Sequence, residues 1–191
     1  MPDEKSAAEV ARDLADALER AGIPYAIGGA IALGFYAVPR ATVDVDINVF
    51  VSPTREMRRA LDALQAGGFV LEGTVESTER QARDEGQFRG TIAGLRVDVF
   101  VPAIPFYAEL EARRREVVLL GRSLWIIAPE DLVVLKMMFF RRKDLADIEA
   151  VLRDRGATFD RSYVRRKLIE LAGAEDERVR AWDELARDVP L

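Results

Sequence analysis

The stretch "YAIGGAIALGFYAVPRATVDVDINVF", residues 25–50, decides the fold. An apolar run ends in Gly28 and Gly29, a helix-like segment follows, and two aspartates then stand one residue apart in a valine-rich run. Side chains of a β-strand alternate between its two faces. From Ala41 to Val51 the odd positions are Ala41, Val43, Val45, Ile47, Val49 and Val51, an apolar face that must point into a core. The even positions on the other face are Arg40, Thr42, Asp44, Asp46 and Asn48. Asp44 and Asp46 therefore share a face, with Cα atoms about 6.5 Å apart, two strand rises. Carboxylates this close repel, and a bound divalent cation is the common way to keep both ionised.

Working outward, "LRVDVFV" at 95–101 repeats the arrangement. Val97, Val99 and Val101 form its apolar side, so Asp98 points the other way. If both strands lay their valines on one core, all three aspartates emerge on the same surface of one sheet. Three hard oxygen donors on adjacent strands suit one or two magnesium ions, which keep several waters and accept phosphate oxygens. A lone Asp-x-Asp in an alternating strand is ordinarily just the solvated face of a half-covered sheet. Aspartate is a poor strand former, however, and a third aspartate in matching register favours the metal-binding reading. The Gly28-Gly29 pair reads either as a tight strand-to-helix turn or as a phosphate cradle, its amides beside a helix N-terminus. Neither a Gly-Lys-Ser/Thr loop nor the Rossmann glycine spacing is present.

The 191 residues are 49% hydrophobic, carry a net charge of −5, and include neither cysteine nor histidine. The first absence excludes disulfides and thiol chemistry, and the second removes the usual general base and nearly every structural zinc site. The lack of cysteine makes a cytoplasmic protein the expectation, and no apolar run approaches the roughly 18 residues a spanning helix needs, so no membrane partner is expected. Helical spacing marks 6–21, with Gly22 as its stop, and 53–66, with Pro53 in its first turn. Residues 72–85 read as a polar loop with a helical piece. Hairpins are expected at Ala93-Gly94 and Gly121-Arg122, and helices over 130–142, 144–155, 160–172 and 175–187. The expected class is α/β: a mixed sheet flanked by helices over residues 1–128, with a C-terminal helical region, 129–191, packed on it.

A Gly-Gly helix turn, then Asp-x-Asp in one strand, then Asp in a later strand resembles the DNA polymerase beta-type nucleotidyltransferase superfamily. Within it, "IGGAIALGFYAVPRATVDVDINV" and "PEDLVVLKMMFFRRKDLADI" are similar to the bacterial branch of AbiEii-type toxins and related nucleotidyltransferases. The likeness spans about residues 20–152. It implies Asp44 and Asp46 as ligands of Mg2+, with Asp98 completing the site and assisting deprotonation of the attacking hydroxyl. It also implies an NTP held by Gly28 and Gly29, and an RNA acceptor such as a tRNA 3′ end, with an antitoxin as protein partner. One departure is Ala30, where many members place a serine hydroxyl on the triphosphate.

Arg40 and Thr42, read on the carboxylate face, either contact phosphate or are an ordinary surface arginine and strand threonine. Lys136 is the one interior charge of an otherwise apolar helix and either snorkels or reaches a phosphate or carboxylate. The resemblance places a lysine there near the nucleotide. Asp144 is expected to cap a helix, and Asp147 to pair with Lys136 or a nearby arginine. The runs 113–115, 141–143 and 165–167 are basic, either solvated ion-paired faces or parts of an RNA track. Two further readings compete with RNA-directed transfer: transfer to a small hydroxylated molecule, and a non-catalytic nucleotide- or partner-binding module.

Overall fold

The computed structural model describes residues 5–189; residues 1–4 of the amphipathic opening lie outside them. The described residues form two compact units, one of 5–31 and 41–127, the other of 32–40 and 128–189.

The first unit is built on a seven-stranded mixed sheet. Its strands are β1 (Tyr25–Ile27), β2 (Asp44–Val49), β3 (Val70–Leu71), β4 (Gln87–Ile92), β5 (Leu95–Phe100), β6 (Arg115–Leu119) and β7 (Arg122–Ile126). Their spatial order is β3-β4-β5-β2-β1-β7-β6. β2 runs parallel to β5 and β1 parallel to β7, and the other neighbours are antiparallel. Helices α1 (Ala7–Arg20), α3 (Met57–Ala66), α4 (Val75–Glu85) and α5 (Phe106–Arg113) belong to the same unit, and α2 (Gly29–Leu33) carries the chain out of it. The core follows from the alternation. Val45, Ile47, Val49, Val97 and Val99 are wholly buried, as are Val10, Leu14 and Leu18 of α1, which packs on α3 and on β1, β2 and β7. α1 starts on a reciprocal cap: Ser6 Oγ accepts from Glu9 N–H, and Glu9 accepts from Ser6 N–H.

The second unit is helical: α6 (Pro129–Phe139), α7 (Arg142–Arg155), a short 3-10 turn (Gly156–Thr158), α8 (Arg161–Ala172) and α9 (Glu177–Asp188). α6 packs against the other three helices, which is why it is apolar around nearly its whole circumference. Its buried Asp131 accepts the Tyr163 hydroxyl at 2.6 Å. Trp182 of the charged α9 is 1% exposed and packs on Phe159, so it closes this unit's core. No described helix is long and apolar enough to cross a membrane.

Four sequence expectations shift. β2 begins only at Asp44, where its pairing with Arg96 of parallel β5 starts. Ahead of it Thr42 closes a local turn, its hydroxyl donating to the Asp44 carbonyl at 3.1 Å and accepting the Asp44 N–H at 3.3 Å. Val43 is therefore 71% exposed and Ala41 also faces solvent, and neither joins the apolar face. Residues 75–85 form a full helix, α4, capped by Thr74 and ended by left-handed Gly86. Only Thr78 and Ala82 of it are buried, so no apolar stripe announced it. Pro53 lies in a turn ahead of α3, and the second hairpin turns on Leu120-Gly121, one residue earlier than expected.

Candidate active site

The outward face of the sheet is set by register. The hairpin turn has two left-handed residues, Ala93 at φ 49° and Gly94 at φ 81°, and it places Arg89 opposite Asp98. The parallel pairing of β5 with β2 then places Asp98 beside Asp46 and Arg96 beside Asp44. One row across the sheet reads Arg89, Asp98, Asp46, and the next reads Thr91, Arg96, Asp44. Their strand neighbours Phe88, Ile92, Val97, Val99, Val45 and Ile47 are buried on the other side, so the six polar side chains share one face. The first row ends at the glycine turn, where Gly28 N–H donates to the Asp46 carbonyl at 2.8 Å.

Two guanidinium groups answer the carboxylates. Arg89 Nε donates to Asp98 Oδ1 at 2.6 Å, and Arg96 Nε forms an ion pair with Asp98 Oδ2 at 3.1 Å. Arg96 Nη2 also donates to Asp44 Oδ2 at 3.0 Å, bridging two strands. The hydrogen bond to Asp98, reinforced by its charge, holds the Arg89 guanidinium above its ordinary value. The glycine turn lies against the third carboxylate. Gly29 has φ +54°, and a Cβ there would lie 1.7 Å from Asp46 Oδ2. Only a residue without a side chain fits beneath that oxygen.

The donor set on this face suits a divalent cation. Carboxylate oxygens on adjacent strands are hard ligands of the kind magnesium takes, and positive charge is already drawn to them as Arg96. Among the described residues, however, no group of three or more acidic side chains is gathered as a ready metal cage. Both oxygens of Asp98 are held by guanidiniums as the chain stands.

The remaining residues singled out from the sequence lie in the turn before β2 and in the helical unit. Thr42 sits in the turn before β2, not on the strand face. Arg40 also precedes the strand and belongs to the helical unit, where Nε and Nη2 clamp both oxygens of Asp147 at 3.2 and 3.3 Å. Its expected place on the carboxylate face does not survive, because β2 is too short to reach it. Lys136 is 6% exposed and does not snorkel. Its ammonium meets Asp147 Oδ2 at 2.7 Å and Asp144 Oδ1 at 3.5 Å. Asp144, wholly buried, also accepts Arg141 N–H at 3.2 Å at the start of α7, as a capping residue does. The basic runs are largely paired: Arg114 with Glu111, Arg141 with Asp144, Arg165 with Asp183, and Lys167 with Glu170.

Sequence reasoning did not single out Arg89 and Arg96. The signal for both was present, since each alternates with buried residues on the aspartates' side of its strand. Charged residues are so common on solvated faces that alternation alone does not distinguish them.

No family model matches the chain, and no curated protein matches it by sequence. Solved structures do. The antibiotic-resistance factor ANT(2'')-Ia in solution matches with a TM-score of 0.59 at 16% identity, over 94% of this chain and 90% of that one. The same factor in complex with adenylyl-2"-tobramycin gives 0.60 at 14% identity, over 93% and 97%. An antigenic nucleotidyltransferase-like protein from Paracoccidioides brasiliensis gives 0.54 at 18% identity, over 94% of each chain. The chain thus has the mixed-sheet α/β fold of nucleotidyltransferases.

Proposed function

We propose that this protein is a nucleotidyltransferase that moves a nucleoside monophosphate from an NTP to an acceptor hydroxyl, releasing pyrophosphate. The observation that carries the reading is one row of the sheet: Asp98 beside Asp46, with the glycine turn at its end. Asp44 and Asp46 would hold magnesium, which when bound supplies Lewis-acid polarisation of phosphoryl oxygens. Gly28 commits its N–H to Asp46 and so fixes the turn. The amides of Gly29 and Ala30, in the first turn of α2, have no intrahelical acceptor and are the ones to meet phosphate. A backbone role of this kind explains how Ala30 can stand in place of a serine. Asp98 takes the proton of the attacking hydroxyl once one of its oxygens is released by an arginine.

The acceptor we put first is an RNA 3′ hydroxyl, in a toxin of the AbiEii-like branch partnered by an antitoxin. That choice rests on the resemblance of "RATVDVDINV" and "PEDLVVLKMMFFRRKDLADI". A small hydroxylated molecule is the second reading. It is favoured by the internal pairing of the basic runs, which leaves less cationic surface for a nucleic-acid backbone. It is also favoured by the fold shared with an antibiotic-resistance factor. The test is incubation with α-labelled NTPs, magnesium, and either total RNA or a panel of hydroxylated antibiotics. Label on RNA supports the first acceptor and label on a small molecule the second. Folded protein that labels neither overturns transfer and leaves a nucleotide- or partner-binding module.

The glycine turn gives a sharper check. Gly29→Ala should leave the fold intact but lower its melting point by about 2–4 °C, the shift that roughly 1 kcal/mol of left-handed strain gives a chain this size. Transfer should fall by on the order of 10²-fold, because the new methyl must push the Asp46 carboxylate aside. Melting curves and labelled-product rates on the same preparation measure both.

A further inference from the structure

We propose that Arg96 is an exchangeable counter-ion: it holds Asp44 and Asp98 in the free protein and yields them when a divalent cation binds. The inference rests on the nucleotidyltransferase reading above and concerns how its carboxylate face is kept before loading. Arg96 is the cross-strand neighbour of Asp44 and stands two residues before Asp98 on β5, so both carboxylates lie within reach of one side chain on one face. Its guanidinium uses separate nitrogens, Nη2 for Asp44 Oδ2 and Nε for Asp98 Oδ2. A planar fork offers the two carboxylates separate nitrogens in a fixed geometry, which an ammonium does not.

Arg96 differs in this from Arg89, which engages the single atom Asp98 Oδ1. The two Oδ2 atoms that Arg96 binds belong to carboxylates assigned to the cation, and a guanidinium and a divalent ion cannot share them without strong repulsion. Arg96 is 44% exposed and can withdraw into solvent without unpacking the sheet. The bridge has a purpose in the free protein, since three carboxylates on adjacent positions repel and need a cation of some kind.

The experiment is titration of the full chain with Mn2+ alone, followed by the electron paramagnetic resonance of the free ion. Wild type, Arg96→Gln, Arg96→Lys and Asp44→Asn are compared, each checked for fold by circular dichroism. Arg96→Gln should bind Mn2+ about tenfold more tightly than wild type, a ratio worth about 1.4 kcal/mol. Arg96→Lys should fall between them, and Asp44→Asn should lose the site. Unchanged or weaker binding by folded Arg96→Gln, with wild-type binding that depends on Asp44, overturns the counter-ion role and leaves the metal site standing. Failure of both wild type and Arg96→Gln to bind Mn2+ overturns the exchange together with the nucleotidyltransferase reading.

Discussion

Asp46→Asn will reduce transfer by on the order of 10³-fold or more, while the protein melts at or above the wild-type temperature. The two halves of this expectation come from the same geometry. Asp46 lies directly beside Asp98 across a parallel pair, with Asp44 two residues away on its own strand. Like charges so placed destabilise a sheet, and a site that tolerates them is holding that cost for its chemistry. Asparagine keeps the size and shape that fit over Gly29 but removes the negative charge. The expected signature is therefore loss of activity without loss of stability, measured as labelled product per minute and as a thermal midpoint. Retained transfer would remove Asp46 from the site. A large drop in melting point would show that the carboxylate has a structural task instead.

Much of this carboxylate face is legible in the sequence, and most of what is not depends on residues distant in the chain. The valines at 45, 49, 97, 99 and 101 declared two half-buried strands and hence the side on which Asp44, Asp46 and Asp98 stand. The Ala93-Gly94 pair likewise signals a hairpin, because a two-residue turn of this type needs left-handed backbone, which Gly94 adopts freely. Adjacency of β2 and β5 was a conditional reading, since nothing local in either strand says which strand lies beside it. The late start of β2 is not legible either, because the Thr42 hydroxyl closes a turn on Asp44 that takes Val43 out of the strand although Leu95 of β5 lies in register with it. The Gly28-Gly29 pair stayed ambiguous in the sequence because its demand for glycine comes from Asp46, seventeen residues beyond Gly29 in the chain and on another strand. Helix α4 reads only as a helical piece within a polar loop because polar residues surround it almost completely, leaving its caps as its main signature.

Lys136→Met will destabilise the protein by about 3 kcal/mol at pH 7, the low end of the cost of removing one partner from a buried ion pair. Methionine suits the volume and the apolar setting of α6, where Val133 and Met137 are wholly buried, so little of the loss is packing. What is lost is the charge between Asp144, 0% exposed, and Asp147, 7% exposed. Each carboxylate keeps one arginine, Arg141 for Asp144 and Arg40 for Asp147, which sets the low end rather than the high. The pH dependence identifies the mechanism. Burial alone would raise the Asp144 carboxyl, but the Arg141 hydrogen bond and the Lys136 and Arg141 charges outweigh it and hold it below the ordinary 3.8. A depressed carboxyl stabilises the fold above its unfolded value and loses that contribution as pH falls through its folded value. Without Lys136 the depression shrinks, so the gap between variant and wild type should be widest near neutrality and narrow below about pH 4. Urea unfolding across that range measures it. Adding Asp147→Asn to Lys136→Met should recover part of the loss, because it removes a buried charge left with one partner. A deficit that stays constant with pH, and that the second substitution does not relieve, would assign Lys136 a packing role instead.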